Sequence, residues 1–278
     1  MTAAPLHART VTTSRCSGEI HDQGAQVTGW APRGGDPVLY VSSAVAVEEG
    51  RPIRAGVPVC WPWFGPGRSG GLEPAHGFVR TAPWELVDES VTEDDATFVH
   101  RISSDTARSP HWPYRYAVQL RSRFGELLEL DLTTTNLSEE PFEYEEALHA
   151  YLAVGDISRV SVDGLDGRSY FDKVTGDERQ HSGFLTFGSE TDAVFRTSDP
   201  VTVRDPVLGR QLAITTEGAS NVVVWNPWDA KAKQVPDIGD DDWQRFLCVE
   251  GANVLENAVP LAPGESHTTS YRLAVESL

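Results

Sequence analysis

The chain has 278 residues, with 23 Lys and Arg against 41 Asp and Glu, for a formal net charge of −18. Hydrophobic residues make up 40% and charged residues 23%, fractions of an ordinary globular protein that argue against wholesale disorder. The acidic balance argues against a nucleic-acid binder or a polybasic membrane-surface protein, yet leaves room for a small anionic ligand held by a few local arginines.

Residues 1–16 lack a continuous apolar stretch, so no signal peptide is expected. A first strand is expected over 38–47. The segment 53–66, IRAGVPVCWPWFGP, sets Arg54 before an almost wholly apolar loop with Trp61, Trp63 and Phe64. The uncharged run 55–67 is too short and too rich in Pro and Gly for a membrane span, which needs about 20 apolar residues. His76-Gly77-Phe78-Val79-Arg80 follows. The acidic run 93–95 reads as a solvated turn. Strands are expected over 97–102 and 116–124. From Glu126, ELLELDLTTT places Leu128, Leu130 and Leu132 on one face and Glu129, Asp131 and Thr133 on the other, the period of a half-buried strand. Asn136-Leu137-Ser138 is a turn signal. The segment 147–157, ALHAYLAVGDI, contains His149. Further strands are expected over 221–225, 246–249 and 268–275, and one short helix over 228–235 after Pro227. Glu250 stands at the expected end of the 246–249 strand, and Asp240 to Asp242 read as another solvated turn.

With 24 Gly and 18 Pro spread along the chain, breakers leave short segments between them. The expected architecture is all-β: a sandwich of antiparallel sheets with few short helices, forming one domain over 1–278. Cys16, Cys60 and Cys248 are too sparse for a disulfide framework, which suggests reduced thiols in a cytoplasmic protein. The chain has no HExxH or clustered His/Cys spacing, no Walker or GxGxxG context and no GxSxG elbow. The expectation is therefore no metal and no cofactor.

Each candidate residue has a bland reading beside its chemical one. Tryptophans serve cores more often than sugar platforms. His76 and His149 could be satisfied structural histidines, and Arg54 and Arg80 could pair with surface carboxylates. Burying the Glu250 carboxylate is costly unless it is paired or used.

Six segments occur in an order that resembles the aldose 1-epimerase superfamily, and within it the hexose-6-phosphate mutarotase branch. They are IRAGVPVCWPWFGP (53–66), AHGFVR (75–80), EALHAYLAVGDI (146–157), ETDAVF (190–195), VVWNPW (223–228) and FLCVEGANV (246–254). The closing segment 261–273 is similar as well. The resemblance implies a galactose-mutarotase-like β-sandwich with its site on one face of a large sheet. It implies His149 as general acid, Glu250 as general base, Asp192 as a sugar-hydroxyl ligand and His76 in the pocket. Arg54 and Arg80 match arginines that would hold a 6-phosphate. Ala193 departs from the pattern, since relatives often carry Arg after the Asp.

The chemistry suits these residue types. Mutarotation opens a pyranose and recloses it on the other face of C1, which needs a base for the anomeric hydroxyl and an acid for the ring oxygen. An imidazolium acid gains from nearby negative charge, with Glu145, Glu146 or a bound phosphate as sources. The expected protein is a monomeric isomerase of a small sugar phosphate. The alternatives are an aldose 1-epimerase of unphosphorylated sugars and a non-catalytic carbohydrate-binding protein.

Overall fold

Period-two patterning dominates the chain, and the computed structural model, which describes residues 7–45 and 47–278, shows strands wherever it is sustained. Leu128, Leu130 and Leu132 are fully buried along Leu128–Asn136, while the residues between them are half-buried. This strand lies inside an antiparallel nine-stranded sheet. From one edge the order is Leu185–Thr186, Ser161–Asp163, Val201–Asp205, Arg210–Glu217, Ser266–Ser277, Leu128–Asn136, Tyr116–Phe124, Ala96–Ser103 and Glu85–Val91.

An eight-stranded antiparallel sheet packs against it. Its order is Asp177–Gln180, Ser169–Asp172, Thr191–Phe195, Asn221–Asn226, Phe246–Asn253, Glu146–Leu148 and Val59–Cys60, with Tyr151–Ala153 also pairing with Phe246–Asn253. The main core lies between the two. Leu120, Leu130, Leu212 and Leu273 enter it from the nine-stranded sheet, and Leu148, Val222, Val224, Leu247 and Val249 from the eight-stranded one. Tyr271 Oη donates to the Val249 carbonyl at 3.0 Å and ties the two sheets together. The remaining strands form a three-stranded sheet (Ala8–Thr12, Cys16–His21, Val27–Pro32) and the pair Phe142–Tyr144 with Val259–Leu261.

Four expectations change. The segment 38–47 forms no strand among its described residues: isolated bridges join Leu39 to Leu152 and Val41 to Ala55, a turn follows in which the Val45 amide donates to the Ser42 carbonyl, and residue 46 lies outside the described residues, as do residues 1–6 of the N-terminal stretch. The strand expected to end at Val249 runs to Asn253, so Glu250 is mid-strand, opposite Val223. Sheet pairing on both sides carries it through the carboxylate. The helix after Pro227 covers Trp228–Ala232, shorter than expected. Asp242 is also more than a solvated turn. It accepts from Tyr40 Oη at 2.6 Å and from the Ser43 and Gly239 amides.

The three cysteines are free and buried. Among the described residues, no helix is long and apolar enough to cross a membrane.

Candidate active site

The same alternation that fills the core places a second set of side chains on the opposite face of the eight-stranded sheet. In Phe246–Asn253, Leu247 and Val249 enter the main core, so Cys248 and Glu250 face away from it. In Asn221–Asn226, Val222 and Val224 go in, and Val223 and Trp225 go out. Across 147–152, Leu148, Ala150 and Leu152 enter the core, which turns Ala147, His149 and Tyr151 outward. In Thr191–Phe195, Ala193 and Phe195 face the core and Asp192 and Val194 do not. Five of these outward residues, His149, Asp192, Val223, Trp225 and Glu250, with the loop carrying Phe64 and His76, line a polar cavity of about 130 Å³.

Arg54, His76, His149, Asp192 and Glu250 all line this cavity, so five residues expected from the sequence are brought together. Phe64, Lys173, Val223 and Trp225 complete the wall. Arg80 is not among the lining residues. Its guanidinium donates to the Ala75 carbonyl at 2.7 Å and braces the His76 loop. Trp61 and Trp63 are nearly fully buried. Trp61 packs against Tyr116 and Trp112, and Trp63 Nε1 donates to the Pro74 carbonyl. Beside the two imidazoles, the aromatic rings lining the cavity are those of Phe64 and Trp225. Ala193 faces the core and is 4% exposed. A longer side chain there would point away from the cavity, so the departure at this position removes no ligand from it.

His149 Nε2 lies 3.3 Å from Glu250 Oε1, with both side chains buried. His149 Nδ1 and both Glu250 carboxyl oxygens have no hydrogen-bond partner within the protein. Buried polar atoms are almost always satisfied, so these three point to a polar ligand. Tyr151 stacks on the imidazole, with ring centroids 4.8 Å apart and planes 13° apart. Trp225 meets it edge-on at 6.0 Å.

Burial, followed by the Arg54 and Arg80 charges, holds His149 well below the ordinary imidazole range. Burial also pushes Glu250 well above the carboxylate range, against the opposing pull of Lys173. Burial thus opposes charge on both members of the pair. The negative charges expected from the sequence to support an imidazolium at His149 are directed elsewhere. Glu145 accepts from the Phe64 and Leu255 amides at 3.1 and 2.8 Å. Glu146 accepts from Asn253 and Thr269 and pairs with His267.

His76 is held by a different device. It adopts φ 66°, an unusual conformation for a side chain with a Cβ and a mark of functional constraint. Its amide donates to the Gly65 carbonyl at 2.7 Å. The Gly65 amide returns a bond to His76 Nδ1 at 3.3 Å. An amide N–H can only donate, so Nδ1 is unprotonated and the ring proton sits on Nε2. Burial, then Arg80, keeps the ring neutral. His76 is thus a fixed donor, and its ring stands 5.5 Å from that of His149.

Arg54 donates to Tyr151 Oη at 2.6 Å and to Asp237 Oδ1 at 2.9 Å. Lys173 Nζ lies 3.1 Å from Asp192 Oδ2 and 5.0 Å from the centre of the Phe64 ring. Sequence reasoning missed Lys173. Its signal is the hairpin 169–180 beside ETDAVF, where Asp172 pairs with Ala193 and sets the next residue against Asp192. No group of three or more potential metal ligands occurs among the described residues.

The family described as aldose 1-epimerase matches residues 8–274. A protein of Escherichia coli (strain K12) named "Putative glucose-6-phosphate 1-epimerase" is 38% identical over 238 residues, covering 84% of this chain and 79% of its own. A protein of the same name from Cenchrus ciliaris is 36% identical, covering 90% and 78%. The crystal structure of a "putative mutarotase" from Salmonella typhimurium superposes with a TM-score of 0.91 at 30% identity, covering 98% of this chain and 91% of that one. The expected galactose-mutarotase-like fold is thus the observed one, and the chain belongs to the aldose 1-epimerase family and is an isomerase.

Proposed function

We propose that this protein interconverts the α and β anomers of a hexose 6-phosphate, glucose 6-phosphate foremost, with His149 and Glu250 as its proton-transfer pair. The observation that carries the reading is their 3.3 Å contact in a polar cavity, with three buried polar atoms left unpaired. Two relatives bearing the name of a glucose-6-phosphate 1-epimerase support the phosphate.

The proton count closes without a cofactor. Glu250, as carboxylate, takes the anomeric hydroxyl proton while His149, as imidazolium, protonates the ring oxygen. The C1–O5 bond breaks and an open-chain aldehyde forms. After rotation about C1–C2, the hydroxyl at C5 attacks the other face of the carbonyl. His149 recovers its proton from that hydroxyl, and Glu250 returns one to the new anomeric oxygen. The pair begins and ends with one proton.

Burial opposes charge on both partners, so substrate binding must favour the ion pair with the proton on His149. Sugar hydroxyls donating to Glu250 favour its ionised form, and a phosphate dianion offsets the Arg54 and Lys173 charges that disfavour imidazolium. His76 Nε2–H and Asp192 would hold ring hydroxyls, with Phe64 and Trp225 against the C–H faces. Saturation-transfer NMR of glucose 6-phosphate tests the reading. Wild type should accelerate anomer exchange, while His149→Asn and Glu250→Gln should each lose on the order of 10²–10⁴-fold. Full exchange in either folded variant would remove the pair from the mechanism.

A further inference from the structure

We propose that Tyr151 is a positioning residue of the reaction: its ring, stacked on the His149 imidazole, holds that imidazole in the orientation from which it serves the ring oxygen of the sugar. This rests on the reading of His149 as a proton-transfer residue and assigns the control of its orientation to one neighbour.

A histidine that moves protons is commonly aimed by a hydrogen bond at its second nitrogen. His149 lacks that device. Its Nδ1 has no hydrogen-bond partner among the described residues, and its Nε2 faces Glu250 across 3.3 Å. The His149 amide donates to the Pro58 carbonyl at 3.0 Å, which holds the backbone and leaves the side-chain torsions to packing. The χ2 torsion of histidine is intrinsically broad, so the neighbouring rings must set it. Trp225 and His76 meet the imidazole edge-on, their planes 78° and 74° from its own. Tyr151 lies flat on it, with centroids 4.8 Å apart and planes 13° apart. A ring that covers one face blocks rotation about Cβ–Cγ, because the turning imidazole would strike it. Tyr151 is itself held. It is 1% exposed, its Oη accepts from Arg54 at 2.6 Å, and its ring packs on Phe246 at 5.5 Å.

The rival reading is that Tyr151 only fills the buried cluster of Tyr40, Phe246, Cys248 and Ile238. That role would lower stability and leave kcat of the folded protein unchanged. The test measures kcat and KM for anomer exchange of glucose 6-phosphate in Tyr151→Leu, Tyr151→Met and Tyr151→Phe, each alone and combined with His149→Asn, with a thermal melt of every variant. Tyr151→Leu and Tyr151→Met should lose about 10- to 100-fold in kcat, the scale of a misaimed catalytic group, with KM little changed. Tyr151→Phe keeps the stack and should recover most of that loss. In the His149→Asn background the same substitutions should have no further effect, since Tyr151 acts through His149. With glucitol 6-phosphate bound, the His149 imidazole ¹⁵N signals should be single in wild type and Tyr151→Phe, and broadened or split in Tyr151→Leu. Wild-type kcat in folded Tyr151→Leu or Tyr151→Met, an equal loss in Tyr151→Phe, or the full loss repeated in the His149→Asn background overturns the assignment while leaving the proton-transfer pair intact. Wild-type exchange in His149→Asn alone overturns that pair and the assignment with it.

Discussion

Gly77 is the backbone hinge on which the His76 side of the cavity depends, and Gly77→Ala should disable it. The residue sits at φ 75° and bridges to Trp61. A methyl group placed on it would lie 1.8 Å from the Trp61 carbonyl oxygen and 2.3 Å from the carbonyl carbon. Ordinary contact begins near 3.4 Å, so the Trp61 backbone must retreat by about 1.6 Å, an overpacking of a kind that costs about 1–3 kcal/mol. The left-handed conformation adds about 1–2 kcal/mol for any residue with a Cβ. Together these predict a loss of about 2–5 kcal/mol, or a fall in Tm of about 4–20 °C for a chain of this size. The displaced bridge also carries His76, so the bond from Gly65 that fixes its tautomer should open. Differential scanning calorimetry reads the first effect and anomer exchange the second. A variant with unchanged Tm and wild-type exchange would refute the steric argument.

Further outcomes follow from the coupled pair. The form of free enzyme with one proton on the pair should be the active one. Burial holds the second protonation, on His149, below the ordinary value of about 6.5. The acid limb of kcat/KM should therefore lie below that value, with activity at pH 6 close to that at pH 7. A limb centred near 7 would contradict it. In ¹⁵N NMR, His149 should be neutral in the free protein at neutral pH and gain a proton on binding glucitol 6-phosphate. A spectrum unmoved by that ligand would exclude substrate-driven arming. His76 should stay neutral in the Nε2–H tautomer with and without ligand, and a protonated His76 at neutral pH would refute the Gly65 assignment.

Much of the β architecture was legible because burial on one face writes itself as alternation. Leu128, Leu130 and Leu132 announce their strand without any partner in view. The stretch around His149 was not expected as strand, and it forms two short ones, Glu146–Leu148 and Tyr151–Ala153, on either side of that residue. What the sequence hid depends on pairing between distant segments. Glu250 was expected where the apolar stretch 246–249 ends, yet neighbouring strands continue the ladder to Ala252 on one side and Asn253 on the other. The segment 38–47 looked strand-like from its Val and Tyr content, but it finds only isolated bridges. Arg80 has the right chemistry for a phosphate; one terminal nitrogen braces the Ala75 carbonyl, while its buried Nε has no partner within the protein. Lys173 lies just past a strand end with no motif around it, and only the register of Asp172 with Ala193 brings it to Asp192. Protonation was the least legible property: of the carboxylates nearest His149 in sequence, Glu145 gives both oxygens to backbone amides and Glu146 turns its Oε1 to Asn253, Thr269 and His267.

The most direct test of the account is anomer exchange of glucose 6-phosphate, glucose and galactose measured side by side by saturation-transfer NMR with the wild-type protein. The account predicts acceleration of the phosphorylated sugar well above that of either free sugar. Faster exchange of the free sugars, or acceleration of none of the three, would contradict it.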